Sequence, residues 1–123
     1  LQSRLLFDGG YLVRAYKLLN ATNESYFKSV NDRLEYNYRK GRVAHSLKNY
    51  IEALQYYTQT IEKGKNSSSY FACNAALNVG LIYEAQNKTS LAKQYYNLCL
   101  SLQPSEYKSS LHQKAKAGLN RME

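Results

Sequence analysis

Apolar side chains recur along the chain at the spacing of amphipathic helices, and glycine, proline, asparagine and serine punctuate them. The pattern predicts helices over 30–47 and 50–63, then over 70–86 and 89–102, with a last helix over about 105–122 behind Pro104. Ser29 with Asp32, and Asn49 with Glu52, each set a cap residue three positions before an acid at a helix start. Gly64-Lys65-Asn66-Ser67-Ser68-Ser69 forms a breaker-rich loop, and a serine there is expected to cap the helix that follows.

The predicted helices come in pairs, and the pairs repeat. Setting Gly41 on Gly80 brings Ala53 onto Ala92, Tyr56-Tyr57 onto Tyr95-Tyr96 and Ile61 onto Leu100, all at one offset of 39 residues. Within each unit the glycine lies twelve residues before the alanine, so these matches are linked and are not accidents of composition. A period of this length signals stacked supersecondary units. The residue types at the repeated positions have a packing reason. Gly41, Gly80 and Gly118 fall mid-helix, where glycine costs about 0.5–1 kcal/mol relative to alanine, so close approach of a neighbouring helix is the expected compensation. Ala53 and Ala92 would sit where the second helix crosses the first, with Tyr57 and Tyr96 filling the wedge between consecutive units.

Composition narrows the class. One proline, six glycines and 123 residues allow long uninterrupted helices in a single domain or in three to four helix pairs. No apolar run approaches the roughly 20 residues of a membrane span. The chain begins without Met, and Leu1 to Phe7 read as the last turns of a helix, which makes a piece of a longer protein the expectation. A targeting signal would then lie upstream; the cytoplasm is the expected compartment. Cys73 and Cys99 have neither metal-ligand spacing nor a CxxC partner and read as small core residues, with a disulfide between them left open. The net charge of +8 favours acidic partners, yet basic residues are interspersed with acids and form no nucleic-acid tail.

The spacing and residue types resemble the tetratricopeptide repeat, whose pattern runs from an aromatic through Leu-Gly, Tyr, Ala and Phe/Tyr to Ala and Pro. The second unit carries Gly80, Tyr83, Ala92, Tyr96 and Pro104 at that spacing, with Val79 for Leu and Cys99 for the later Ala. The first keeps Gly41, Tyr50, Ala53 and Tyr57 but has Asn37 for the aromatic, Lys40 for Leu, Ala44 for Tyr and Thr60 for Ala. Gly9 to Leu19, with Ala15 matching Ala53, resembles half of an earlier unit, and Leu111 to Gly118 the start of a capping helix. The expected domain is thus a single one over 1–123, with a partial repeat at 1–20, repeats at 30–63 and 70–104, and a cap at 105–123.

The resemblance implies an all-α superhelix, a solenoid of antiparallel helix pairs whose first helices line a concave groove. On that geometry the groove-facing residues would be Glu35, Tyr38, Arg42 and His45, then Asn74, Leu77, Asn78 and Leu81, then His112, Ala115 and Lys116. The set has a cationic and amide bias, suited to an acidic peptide or a C-terminal carboxylate. The expected role is a protein-interaction scaffold or adaptor; self-association through the exposed terminal half-repeat is also expected. The two-carboxylate clamp of some tetratricopeptide proteins is matched at Asn78 and Lys116 only, since Tyr38, Arg42 and His112 replace its other residues.

Nothing in the sequence argues for catalysis. His45 and His112 fall on different helices without an Asp, Glu or Cys at metal-ligand or triad spacing, and no phosphate-binding glycine loop occurs, so no cofactor, metal or small-molecule substrate is expected. The thirteen tyrosines beside cations raise single-stranded nucleic acid as the alternative ligand, although Tyr57, Tyr83 and Tyr96 already have packing roles. Asn-x-Ser/Thr triplets at Asn20, Asn23, Asn66 and Asn87 are short enough to arise by chance in a chain rich in Asn and Ser.

Overall fold

The computed structural model describes residues 30–123, and every regular element among them is an α-helix: α1 (Val30–Ser46), α2 (Tyr50–Gly64), α3 (Phe71–Ala85), α4 (Thr89–Ser101) and α5 (Lys108–Arg121). Ser29 and the early half-unit with Gly9, Gly10, Ala15 and Leu19 lie outside the described residues. The first four helices begin and end within one residue of the bounds read from the pattern. The last begins later than Ser105 for a local reason. The Ser105 amide and hydroxyl both donate to the Ser68 carbonyl, at 2.8 and 3.2 Å, and Tyr107 adopts the left-handed conformation at φ 62°, so helical geometry starts only after it.

The repeat is written into the backbone of two turns. After α1, Lys48 takes φ 63°, its amide donates to the His45 carbonyl at 3.0 Å, and the Asn49 amide reaches back to Ala44 at 2.8 Å. After α3, Asn87 takes φ 60°, its amide donates to Glu84 at 3.0 Å, and Lys88 reaches Tyr83 at 2.9 Å. Both are Schellman closures, in which a left-handed residue lets the last carbonyls of a helix find donors. Each second helix then opens alike, Ala53 donating to Asn49 and Ala92 to Lys88. Every pair is related by the same 39-residue offset as the side-chain pattern.

Capping by serine does not occur at α3. Its N-cap is Tyr70, without a side-chain cap bond, and the loop serines bond each other instead: the Ser67 Oγ lies 3.3 Å from the Ser69 Oγ and accepts from the Ser69 amide at 3.2 Å.

The chain divides into two compact units, one running to Tyr56 and the other from Tyr57 to Glu123, with the division inside α2. In the first unit Leu34, Tyr38, Gly41 and Val43 are buried along α1, and Ala53 is buried on α2. The positions at which this repeat departs from the family pattern stay in the core: Asn37 and Ala44 are buried, as is Thr60 in the other unit, whereas Lys40 is half-buried with its ammonium 4.5 Å from the centre of the Tyr56 ring.

In the second unit α3, α4 and α5 pack on one another. Ala92, Tyr96 and Cys99 form the buried stripe of α4, and Leu111, Ala115 and Gly118 that of α5, both at the i, i+4, i+7 spacing of one helix face. Tyr96 fills the space between the first helices. A Cβ on Gly80 would lie 2.6 Å from one edge of its ring, and a Cβ on Gly118 2.5 Å from the other. Glycine's helix penalty of about 0.5–1 kcal/mol is outweighed by about 1.5–3 kcal/mol from burying so large a side chain. Pro104 and Tyr57 are also buried, and Tyr83 is half-buried against the Tyr95 ring.

The polar end of the Tyr96 ring is satisfied. Its hydroxyl donates to Glu84 Oε1 at 2.6 Å, and Arg121 grips the same carboxylate with two bonds of 2.8 and 2.9 Å. Thus α3, α4 and α5 each contribute one member to a Tyr–Glu–Arg network. Arg121's hydrogen bonds first and the Tyr96 hydroxyl second hold the Glu84 carboxyl down at about 2. Among the described residues no helix is long and apolar enough to cross a membrane.

Candidate functional site

Within the second unit, the N-terminal ends of α3 and α5 border an open cleft of about 230 Å³, lined by Tyr70, Asn74, Tyr107, Ser110, Leu111 and Lys114. Two of these residues are placed by backbone chemistry. Tyr70 is the N-cap of α3 and Tyr107 that of α5, so each first helix of this unit starts behind a tyrosine. Their rings meet edge to face at 5.2 Å between centroids. Tyr107 is 62% exposed and sits at a positive φ, which costs a residue with a Cβ about 1–2 kcal/mol. The Ser105–Ser68 bonds anchor the chain two residues before it.

One turn into α3, Asn74 is oriented by its neighbour. The Asn78 amide donates to the Asn74 carbonyl at 2.9 Å and to its Oδ1 at 3.2 Å, a bond that engages the oxygen of the Asn74 side chain and not its amide nitrogen. On α5, Ser110 and Lys114 are one turn apart and flank the buried Leu111. The first turn of α5 contains no acid to offset the positive end of the helix dipole. The cleft therefore presents an amide, a hydroxyl and an ammonium above an apolar floor, beside a pair of tyrosine rings. Its lining holds no histidine, cysteine or carboxylate.

The residues expected in the groove are distributed as follows. Asn74 lines the cleft, and Asn78 supports it from behind. Leu77, only 3% exposed, belongs to the core of the second unit and offers no surface to a ligand; Ala115 is likewise buried, because the Leu111–Ala115–Gly118 stripe faces inward. Leu81 is 38% exposed, and Lys116 is exposed on α5. A ring nitrogen of His112, Nε2, lies 2.9 Å from the Leu102 carbonyl, so this histidine ties α5 to the end of α4 and is not part of the cleft. In the first unit Glu35, Tyr38, Arg42 and His45 follow one face of α1. Glu35 pairs with Arg39 at 3.5 Å. Tyr38 is 2% exposed, its ring removed from solvent, and its hydroxyl accepts from Arg42 Nη1 at 3.1 Å. Burial first and the Arg42 charge second lower the pKa of His45, whose ring lies edge-on to Tyr50 at 6.0 Å.

Tyr70, Tyr107, Ser110 and Lys114 were not among the residues singled out from the sequence. The available signal was the shared position of the two tyrosines immediately before a first helix.

Pairs of antiparallel helices with a 39-residue backbone repeat, small residues at the crossings and a tyrosine wedged between neighbours define a helical-repeat protein. The tetratricopeptide repeat model matches residues 34–62 and 74–106, half of the chain, and the chain belongs to the tetratricopeptide repeat family. No curated protein and no solved structure matches it. Repeats of this family are protein–protein interaction modules, typically scaffolds without enzymatic activity.

Proposed function

We propose that this protein holds an acidic segment of a partner protein, with the α3–α5 cleft seating one of the segment's carboxylates. The observation that carries this reading is the convergence of Asn74, Ser110 and Lys114 beside the Tyr70–Tyr107 pair over Leu111. A carboxylate accepts charge-assisted bonds from such donors, while tyrosine rings provide broad contact at low conformational cost. Tyr107 supports the reading through its backbone: a bulky residue kept at positive φ with most of its surface exposed is better explained by a ligand contact than by stability. A lining without histidine, cysteine or carboxylate favours binding over chemistry. The expected partner is a protein, and the net charge of +8 would speed its capture if it is acidic.

The test is selection of peptides from a displayed random library, followed by titration of the enriched sequences by fluorescence anisotropy. Asp and Glu should be enriched, and Lys114→Glu should weaken binding about tenfold or more, the scale of one charge-assisted bond. Tyr107→Gly separates function from folding: it removes a backbone penalty of about 1–2 kcal/mol and should raise the unfolding temperature while lowering affinity. Enrichment of basic peptides, or affinity untouched by both substitutions, rejects the cleft as the binding site.

A further inference from the structure

Cys73 on α3 and Cys99 on α4 are both buried, and their Sγ atoms stand 3.5 Å apart. They are the only two cysteines in the chain, 26 residues apart in sequence, and packing has brought them to within about 1.5 Å of the S–S bond length. Both are in contact with polar atoms: the Cys73 Sγ lies 3.5 Å from the Cys99 carbonyl, and the Cys99 Sγ 3.8 Å from that of Leu111 on α5. Thiol pairs serve as ordinary core residues, but two sulfurs in direct contact across a helix pair have a reaction open to them that a lone buried cysteine does not.

We propose that Cys73 and Cys99 are an oxidation site, a dithiol that hydrogen peroxide converts to a reversible disulfide stapling the two helices of the second repeat. The Cys73 thiolate attacks one peroxide oxygen; the O–O bond breaks, hydroxide leaves and takes a proton as water, and the sulfur becomes a sulfenic acid. The Cys99 thiolate then attacks that sulfur, forming the S–S bond and expelling the hydroxyl as a second water. Two thiols and one peroxide give one disulfide and two waters, with two electrons passing from sulfur to oxygen. The order follows the contact between the sulfurs. Contact with the Cys99 Sγ lowers the pKa of Cys73 against the opposing effect of burial and raises that of Cys99, which makes Cys73 the first thiolate. Hydrogen peroxide fits a buried pair because it is small and needs only a brief local opening of the helices.

This inference is independent of the peptide reading. Its test uses the full chain, treated with hydrogen peroxide, then denatured, alkylated with iodoacetamide and mapped by mass spectrometry. The expected result is loss of about 2 Da, a linked peptide pair containing Cys73 and Cys99, no covalent dimer, and full reversal by dithiothreitol. The unfolding temperature of the oxidised form should rise by several degrees, because the bond closes a loop in the unfolded chain. Cys99→Ser and Cys73→Ser should abolish the linked peptide and leave the other cysteine as thiol or as a higher oxide. If either variant fails to fold, the peptide map of the unaltered chain decides. Sulfinic or sulfonic acid without a linked pair, disulfide-linked dimers only, or two alkylated thiols after treatment in buffer would overturn the proposal.

Discussion

A tyrosine ring held at both edges by glycines leaves no room for a methyl group. A Cβ at residue 80 or 118 would fall 2.6 or 2.5 Å from the Tyr96 ring, and the ring cannot swing from one without meeting the other. Gly118→Ala should gain about 0.5–1 kcal/mol of helix propensity and lose about 1–3 kcal/mol to overpacking, a net destabilisation measurable by urea unfolding. Combining it with Tyr96→Leu should cost less than the sum of the single changes, because the clash disappears with the ring. Lys48 offers the opposite case. It holds φ 63° in the turn after α1, where its exposed side chain has no packing to lose, so Lys48→Gly should stabilise the protein by about 1 kcal/mol in the same assay. The repeated glycines and tyrosines were legible in the sequence since their spacing alone marks a close approach. Tyr107 was not, because its left-handed conformation depends on Ser105 reaching Ser68, a contact between loops 37 residues apart.

Among elements, α5 is the one whose face had to be seen. Its existence, its end and its role beside α3 and α4 follow from pattern, but its start and the residues it shows the cleft depend on the Ser105–Ser68 contact and on its rotation about its own axis. Burial of Leu111, Ala115 and Gly118 turns Ser110 and Lys114 toward α3 and His112 toward Leu102. The helix ends were legible for a complementary reason: each Schellman turn is closed by residues within six of one another, so local sequence suffices. The Tyr96–Glu84–Arg121 network also acts between elements and makes their packing sensitive to acid. Glu84 titrates at an ordinary 4.5 when free and at about 2 in the folded protein. Its contribution to stability is therefore complete above about pH 4.5, where the unfolded carboxyl has released its proton, and is lost as pH falls toward about 2. Thermal unfolding of the natural protein should steepen across that window, and Glu84→Gln should flatten this part of the profile while lowering the unfolding temperature at neutral pH.

For the molecule as a whole, membership of the family and the character of the partner stand on different footings. The family rests on two matched repeats and on turns that reproduce each other's hydrogen bonds at a fixed offset. The partner is proposed from one cleft in one unit, whose rings and, Asn74 apart, donors come from residues that the periodic pattern does not mark. This division is physical: packing repeats because every layer solves the same problem, whereas a binding surface varies from layer to layer with the ligand. The measurement that bears most directly on the account is a backbone amide NMR titration with an acidic peptide selected on this protein. The account predicts that the largest shifts fall on Tyr70, Asn74, Tyr107, Ser110, Leu111 and Lys114, and that they vanish in Lys114→Glu. Shifts confined to the solvent face of α4, with those six residues still, would contradict it.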